Sequence, residues 1–196
     1  MGKLNGLRTY LVGAMDRAPD GGVQWRENIT PFLEDMGVTV FDPCKKERVV
    51  DDCELESLDA IKRRDADKRS GNFDELTRVM KDIRSTDLRF VDTSDFLTVN
   101  LDLKIYACGT WEEIVLANRQ KKPIVIHVEQ GKENAPDWLF GMVPHDTIFS
   151  HWHEVKAYIS AVDEDWESIM LRKSYDRWVF LKTQAKAKLN PVSRKK

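Results

Sequence analysis

The segment from 94 to 128, SDFLTVNLDLKIYACGTWEEIVLANRQKKPIVIHV, constrains the fold more than any other part of this chain. FLTVNL at 96–101 is apolar without alternation, so it reads as a strand buried on both faces, as in a parallel sheet flanked by helices. A loop, a Gly-Thr helix start and a second hydrophobic strand, PIVIHV at 123–128, follow. The opening of the chain repeats the pattern. LRTYLVG at 7–13 reads as a short buried strand that stops at a glycine, and 23–36 has helical spacing through Trp25, Ile29, Phe32, Leu33 and Met36. Gly37 supplies a helix stop, and VTVF at 38–41 is the next strand, closed by Asp42-Pro43. A β-loop-α-β unit of this kind begins a parallel sheet wound by helices.

Between 45 and 81 the composition turns heavily charged, with few large apolar residues, and predicts an insertion of one or two exposed helices with a mobile segment. DELTRVMKDIRSTDLRFVDTSD then regains helical periodicity through Leu76, Val79, Met80, Ile83, Leu88 and Val91. TIF at 147–149 reads as a short fifth strand, HEVKAYISAV as a helix, and 163–196 as an amphipathic helix with a basic tail. With 196 residues there is room for one full core. The expected organisation is therefore an α/β domain over 1–162, interrupted by the insertion, followed by the C-terminal helix.

No apolar run approaches the ~20 residues of a membrane span, and MGKLNGLRTYLVG lacks the features of a secretory signal. Cys44, Cys53 and Cys108 form no CxxC pair; their odd number suits a reducing cytosol, so a cytoplasmic protein is expected. A net charge of −2 exerts no global pull on nucleic acid. The basic stretch 182–196 reads as a solvated helix end, so no stable nucleic-acid binding is expected. Phosphate loops of the GxxxxGKS or GxxxxGKT type and a GxGxxG fingerprint are both missing from the sequence, against a kinase or a classical dinucleotide enzyme. His151 and His153 lack an evident third ligand, and Cys108 lacks an obvious paired histidine.

The loop after FLTVNL lies beyond the carboxyl end of a strand, where open α/β sheets bind ligands. Glu112 and Glu113 fall at the start of the helix that follows. A carboxylate in the first turn is held as an anion by the helix dipole and free N–H groups, which suits a nucleophile. The alternative is two ordinary helix-start acids, with Thr110 as N-cap.

Taken in order, TYLVGAM at 9–15, WRENITPFLEDMGVTVFDP at 25–43, TDLRFVDTSDFLTVNL at 86–101, GTWEEIVLA at 109–117 and KPIVI at 122–126 resemble the nucleoside 2-deoxyribosyltransferase superfamily. That superfamily, which includes related deoxynucleotide N-hydrolases, has a strand of the form IYLAGPM, a downstream Asp and a GTxxE helix start. The resemblance implies a flavodoxin-like or Rossmann-like three-layer fold with a parallel sheet of about five strands. It implies that Glu113 is the nucleophile, that Tyr10 orients it, and that Asp87 contacts substrate and helps protonate the departing base. Gly13, Ala14, Met15, Gly109 and Thr110 would line the substrate pocket. Arg26 would reach a phosphate or a neighbouring loop. Asp95 would contact substrate, although an Asx turn explains it equally well. The family often carries an acid for sugar hydroxyls where this chain has Ala107, with Asp102 and Tyr106 as the nearest polar groups.

The implied chemistry is a double displacement at C1′ without metal or organic cofactor. A second base as acceptor gives a nucleoside 2-deoxyribosyltransferase; water gives a nucleoside 5′-monophosphate N-glycosidase, whose phosphate pocket Arg17 and Arg26 could help to build. A non-catalytic nucleotide-binding module is the third reading, kept open by Ala107. The resemblance further implies a homo-oligomer acting on a small nucleoside or nucleotide.

Overall fold

The computed structural model describes residues 2–45, 49–50, 53–54, 58–164, 177–178 and 180–181. Strand β1 (Arg8–Gly13) leads through α1 (Val23–Asp35) to β2 (Thr39–Phe41). A two-residue pair, β3 (Val49–Val50) and β4 (Cys53–Glu54), precedes α2 (Leu58–Ser70) and α3 (Phe73–Thr93). The chain continues through β5 (Phe96–Leu101), α4 (Cys108–Arg119), β6 (Ile124–Val128), α5 (Asp137–Met142), β7 (Ile148–Phe149) and α6 (Trp152–Glu164). Five strands form an all-parallel sheet in the order β2-β1-β5-β6-β7. Counted within that sheet the order is 2-1-3-4-5, the flavodoxin-like winding, and its direction reverses between β1 and β5.

Every residue of β5 and β6 is buried, as a central strand covered on both faces requires. On one face, Leu11, Phe96 and Val125 pack with Ile29 and Leu33 of α1 and with Val155 and Ile159 of α6. On the other, Val12, Leu97, Val99 and Ile126 pack with Val91 of α3 and with Ile114 and Ala117 of α4. These two apolar layers make the three-layer α/β fold. The short helix α5, which follows Pro136, carries too few residues to show a period in the sequence.

The charged insertion is more than a solvated appendage. Its helix α2 buries Ala60 and Arg64, four residues apart and therefore on one face. Beyond α6, Trp178 and Leu181 are buried in the α1–α6 core. Trp178 Nε1 donates to Tyr158 Oη at 3.0 Å, and its ring centroid lies 5.2 Å from that of Phe96. Arg177 adds donations to the carbonyls of Lys122 and Met142. These C-terminal residues therefore pack back on their own domain. Trp166, Ile169 and Met170, together with the basic tail, lie outside the described residues.

Arg26 secures the carboxyl end of β1. Its guanidinium is fully buried and donates to the carbonyls of Leu11 (3.3 Å), Gly13 (3.0 Å) and Gly22 (2.7 Å). It lies 3.8 Å from Asp42 Oδ1 and 4.5 Å from the centre of the Trp25 ring. Gly22 has φ 76°, and a Cβ there would sit 2.4 Å from both Ala14 O and Arg26 Nη1, so only glycine fits.

Replacing Arg26 by Ala should lower unfolding free energy by about 3–5 kcal/mol, because Asp42 and three carbonyls lose their buried partner. Trp178→Ala should cost about 3–5 kcal/mol through the cavity it opens. Urea denaturation followed by circular dichroism measures both. A change below 1 kcal/mol in either would contradict the packing described.

Candidate active site

The sheet's direction reverses between β1 and β5, so the loops that leave their carboxyl ends diverge and open a crevice. The loop after β1 turns toward α1, and the loop after β5 turns toward α4. A cavity of about 570 Å³ occupies this crevice. Tyr10, Gly13, Ala14, Met15, Asp87, Gly109, Thr110 and Glu113 all line it.

Glu113 sits at its floor, buried on α4. Tyr10 projects from β1 toward the α3–α4 layer, packs its ring 5.5 Å from Phe90, and donates its hydroxyl to Glu113 Oε1 at 2.8 Å. Burial pushes the Tyr10 pKa well up from its ordinary value, and the negative charges of Glu113 and Asp87 push it further. The phenol therefore keeps its proton and serves Glu113 as a fixed donor. Asp87 reaches the cavity from α3, half-buried, close enough for its charge to act on the Tyr10 hydroxyl.

The adjacent acid is committed elsewhere. Glu112 points about 100° away around α4 and is held by both forks of Arg84 on α3. The hydrogen bonds from Arg84 lower the pKa of Glu112 from the usual carboxylate range. Two expectations about this helix are corrected. It begins at Cys108, with Ala107 at the N-cap, so Thr110 lies within the helix and neither glutamate is in the first turn. The helix dipole acts mainly on terminal turns, and Glu113 accepts directly from the Tyr10 hydroxyl.

Two further corrections concern residues expected to bind substrate. Arg26 does not line the cavity; its guanidinium is occupied by backbone carbonyls behind the cavity wall. Asp95 lies at the opposite end of the sheet. There its Oδ2 accepts from the Arg8 amide at 2.8 Å and from Arg8 Nε at 3.3 Å, which ties the starts of β1 and β5 together. Asp102 does not replace the acid missing at Ala107. It caps its own turn through the Lys104 amide (2.9 Å) and accepts from Gln130 Nε2 (2.8 Å). Tyr106 stands at the cavity rim, 78% exposed.

Gly13 and Gly109 serve different ends. A Cβ on Gly13 would come within 2.9 Å of both Asn100 O and Trp25 Cζ2, whereas one on Gly109 would meet open space. The α1 side of the sheet edge is filled. His127 Nδ1 pairs with Asn100 Oδ1 at 2.7 Å, and Asn100 donates to Glu129 at 2.9 Å. The His127 ring stacks on Trp152, which stacks on Trp25. Burial lowers the His127 pKa. The open volume therefore lies on the α3–α4 side. His151 and His153 stack on each other at the start of α6. Among the described residues, no group of three His, Cys, Asp or Glu side chains is placed to hold a metal ion.

The sequence reading missed the wall contributed by α2. Arg64, Asp65 and Lys68 line the cavity with Asp16 and Arg17 of the loop after β1. Arg64 Nη2 lies 2.7 Å from Asp16 Oδ1. The available signal was the i, i+4 spacing of Ala60, Arg64 and Lys68, hidden in a helix without an apolar stripe.

Compared as a sequence, the chain matches no family model and no curated protein. Compared as a structure, it is similar to a 2-deoxyribosyltransferase from Bacillus psychrosaccharolyticus, with TM-score 0.54, 16% identity, and coverage of 77% of this chain and 91% of that one. Overlays at lower TM-scores include a 2-deoxyribosyltransferase from Leishmania mexicana (0.47; 15% identity; 78% and 96% covered). Another is a CMP N-glycosidase from Clostridium botulinum (0.43; 18% identity; 78% and 97% covered). Strand order, layers and the first of these overlays agree: the chain has the fold of a 2-deoxyribosyltransferase.

Proposed function

We propose that this cavity breaks N-glycosidic bonds of 2′-deoxynucleosides or their 5′-monophosphates through a covalent deoxyribosyl ester on Glu113. The observation that carries the reading is the buried 2.8 Å hydrogen bond from Tyr10 Oη to Glu113 Oε1 at the cavity floor. It fixes the carboxylate in the cavity lining, where C1′ of a bound nucleoside would meet it. Glu113 bonds to C1′ as the C1′–N bond breaks, and the bond's electron pair leaves with the base. Asp87 delivers a proton to that base, which makes it a better leaving group. In the second half, an incoming base or water displaces the ester and gives up its proton to Asp87. Splitting one difficult substitution into two is the logic of retaining glycosidases.

Transfer to a second base, giving a nucleoside 2-deoxyribosyltransferase, is the first reading; transfer to water, giving an N-glycosidase, is the second. The exposed Tyr106 at the rim offers an aromatic face for a base. In this reading the protein is a cytoplasmic homo-oligomer whose neighbouring subunit closes the open side of the cavity. The displacement runs on the chain's own carboxylates, without a cofactor. Among the described residues, no helix is long and apolar enough to cross a membrane.

Base release, with and without an acceptor base, is the direct assay. Exchange only with acceptor identifies the transferase, and release into water the hydrolase. Glu113→Gln should reduce turnover about 10⁴-fold or more. A 2-fluorinated deoxynucleoside should label Glu113, as read by peptide mass spectrometry. Label on Glu112, or full activity in Glu113→Gln, would sink the mechanism.

Tyr10→Phe removes a charge-assisted hydrogen bond of ~1.5–3 kcal/mol and should slow turnover about 10- to 100-fold. The sign of the pH effect is fixed as well. The Tyr10 hydrogen bond favours the Glu113 anion, so its loss should move the acid limb of the rate profile to higher pH. An unmoved limb would assign Tyr10 to packing alone.

A further inference from the structure

The cavity has two chemically different parts. Its floor holds Glu113 and Tyr10, both buried, with Asp87 above them. A second wall brings three cations, Arg17, Arg64 and Lys68, together with two acids, Asp16 and Asp65. Arg17 comes from the loop after β1, and Arg64 and Lys68 lie one turn apart on a single face of α2. The contact between Arg64 and Asp16 brings that face against the loop.

Helix α2 lines the cavity with charge. Among its described side chains Ala60 and Arg64 are buried, whereas Lys62, Arg63, Asp65, Lys68 and Arg69 are exposed. A guanidinium is costly to bury, yet Arg64 is only 6% exposed and stands in a cavity wall. Its Asp16 partner has a side chain that is 52% exposed, on a loop whose carboxylate solvent can reach. Lys68 is likewise exposed, and its partner Asp65 is a solvent-facing neighbour at i,i+3, a pair of small energy. An arginine fork with a lysine and a second arginine beside it matches the geometry and charge of a phosphate group. The cavity volume falls in the range of about 300–1,000 Å³ typical of small-molecule sites, with space for a nucleoside and its phosphate.

We propose that the preferred ligand is a nucleoside 5′-monophosphate, its phosphate held by Arg64, Lys68 and Arg17 while C1′ faces Glu113. This inference rests on the glycosidic reading above for the placement of C1′. The phosphate contacts themselves need only the cationic wall. In this arrangement α2 is the specificity element, and the carboxylate of Asp16 holds the Arg64 fork in position before the dianion arrives.

The test is calorimetric binding of the four 2′-deoxynucleosides and their 5′-monophosphates to the full-length Glu113→Ala protein, in which turnover is blocked. The monophosphates should bind about 100-fold or more tightly than the nucleosides, and inorganic phosphate should compete with them. Added to Glu113→Ala, each of the substitutions Arg17→Ala and Lys68→Glu, at exposed positions, should cut that preference about tenfold or more. Arg64→Gln should do the same, with its thermal melt recorded because the position is buried. Equal affinity for nucleoside and monophosphate would overturn the proposal, as would an unchanged preference in both Arg17→Ala and Lys68→Glu. Base release by the unsubstituted protein separates the two ideas. Phosphate-dependent binding with no base release, whether or not an acceptor base is present, leaves the phosphate site standing and refutes the glycosidic reading. Equal release from nucleosides and nucleotides supports the glycosidase and removes the phosphate site.

Discussion

The carbonyls of Leu11, Gly13 and Gly22 converge on one guanidinium, that of Arg26, and the position of the cavity follows from this convergence. A strand that ends beside a crevice must find partners for its last carbonyls outside the sheet ladder. Arg26 satisfies them from the first turns of α1, so the carboxyl end of β1 and the start of α1 are held as one piece. The loop between them carries Ala14, Met15, Asp16 and Arg17 into the cavity wall. A loop held at both ends by a buried cation keeps its shape without a hydrophobic anchor of its own.

The same strand carries Tyr10 on its other face. Residues alternate sides along a strand, so Leu11 joins the α1–α6 layer while Tyr10 and Val12 join the α3–α4 layer. One strand thus fixes the structural clamp through its backbone and the site through its side chain. The Tyr10 hydroxyl then selects between two adjacent glutamates. Glu113 turns inward to it, while Glu112 turns outward to Arg84. The distinction is electrostatic as well as geometric, because Arg84 keeps Glu112 an exposed, neutralised anion. The carboxylate that faces the cavity is the one with a neutral donor.

Much of this was legible beforehand because it depends on short-range periodicity. The unbroken apolar run of 96–101, the helical spacing of 23–36 and the glycine stop at Gly37 each report local burial, and the elements formed close to the expected boundaries. Arg26, read as reaching a phosphate or a neighbouring loop, and Asp95, read as a substrate contact or a local turn, were harder to place for the opposite reason. A polar residue near a conspicuous motif looks like a ligand contact in one dimension, and its true partners are backbone groups of another element. The start of α4 was misjudged by two residues, because Cys108 and Gly109 carry no capping side chain to mark it. The wall formed by α2 left no apolar signature, since the α2 residues that line the cavity, Arg64, Asp65 and Lys68, are all charged.

The sequence by itself determined the class of the sheet, the order of its helices and the identity of the carboxylates that could act, because hydrophobic period and motif order are properties of neighbouring residues. Only the tertiary structure decided which glutamate meets Tyr10, that Arg26 serves the scaffold, and that Arg64 and Lys68 join Arg17 around the cavity. Those outcomes depend on contacts between residues as far apart as Tyr10 and Glu113 or Asp16 and Arg64. The reversal of the sheet's winding between β1 and β5 brings Tyr10 and Glu113 to one crevice, and the Asp16–Arg64 ion pair adds the α2 wall to it.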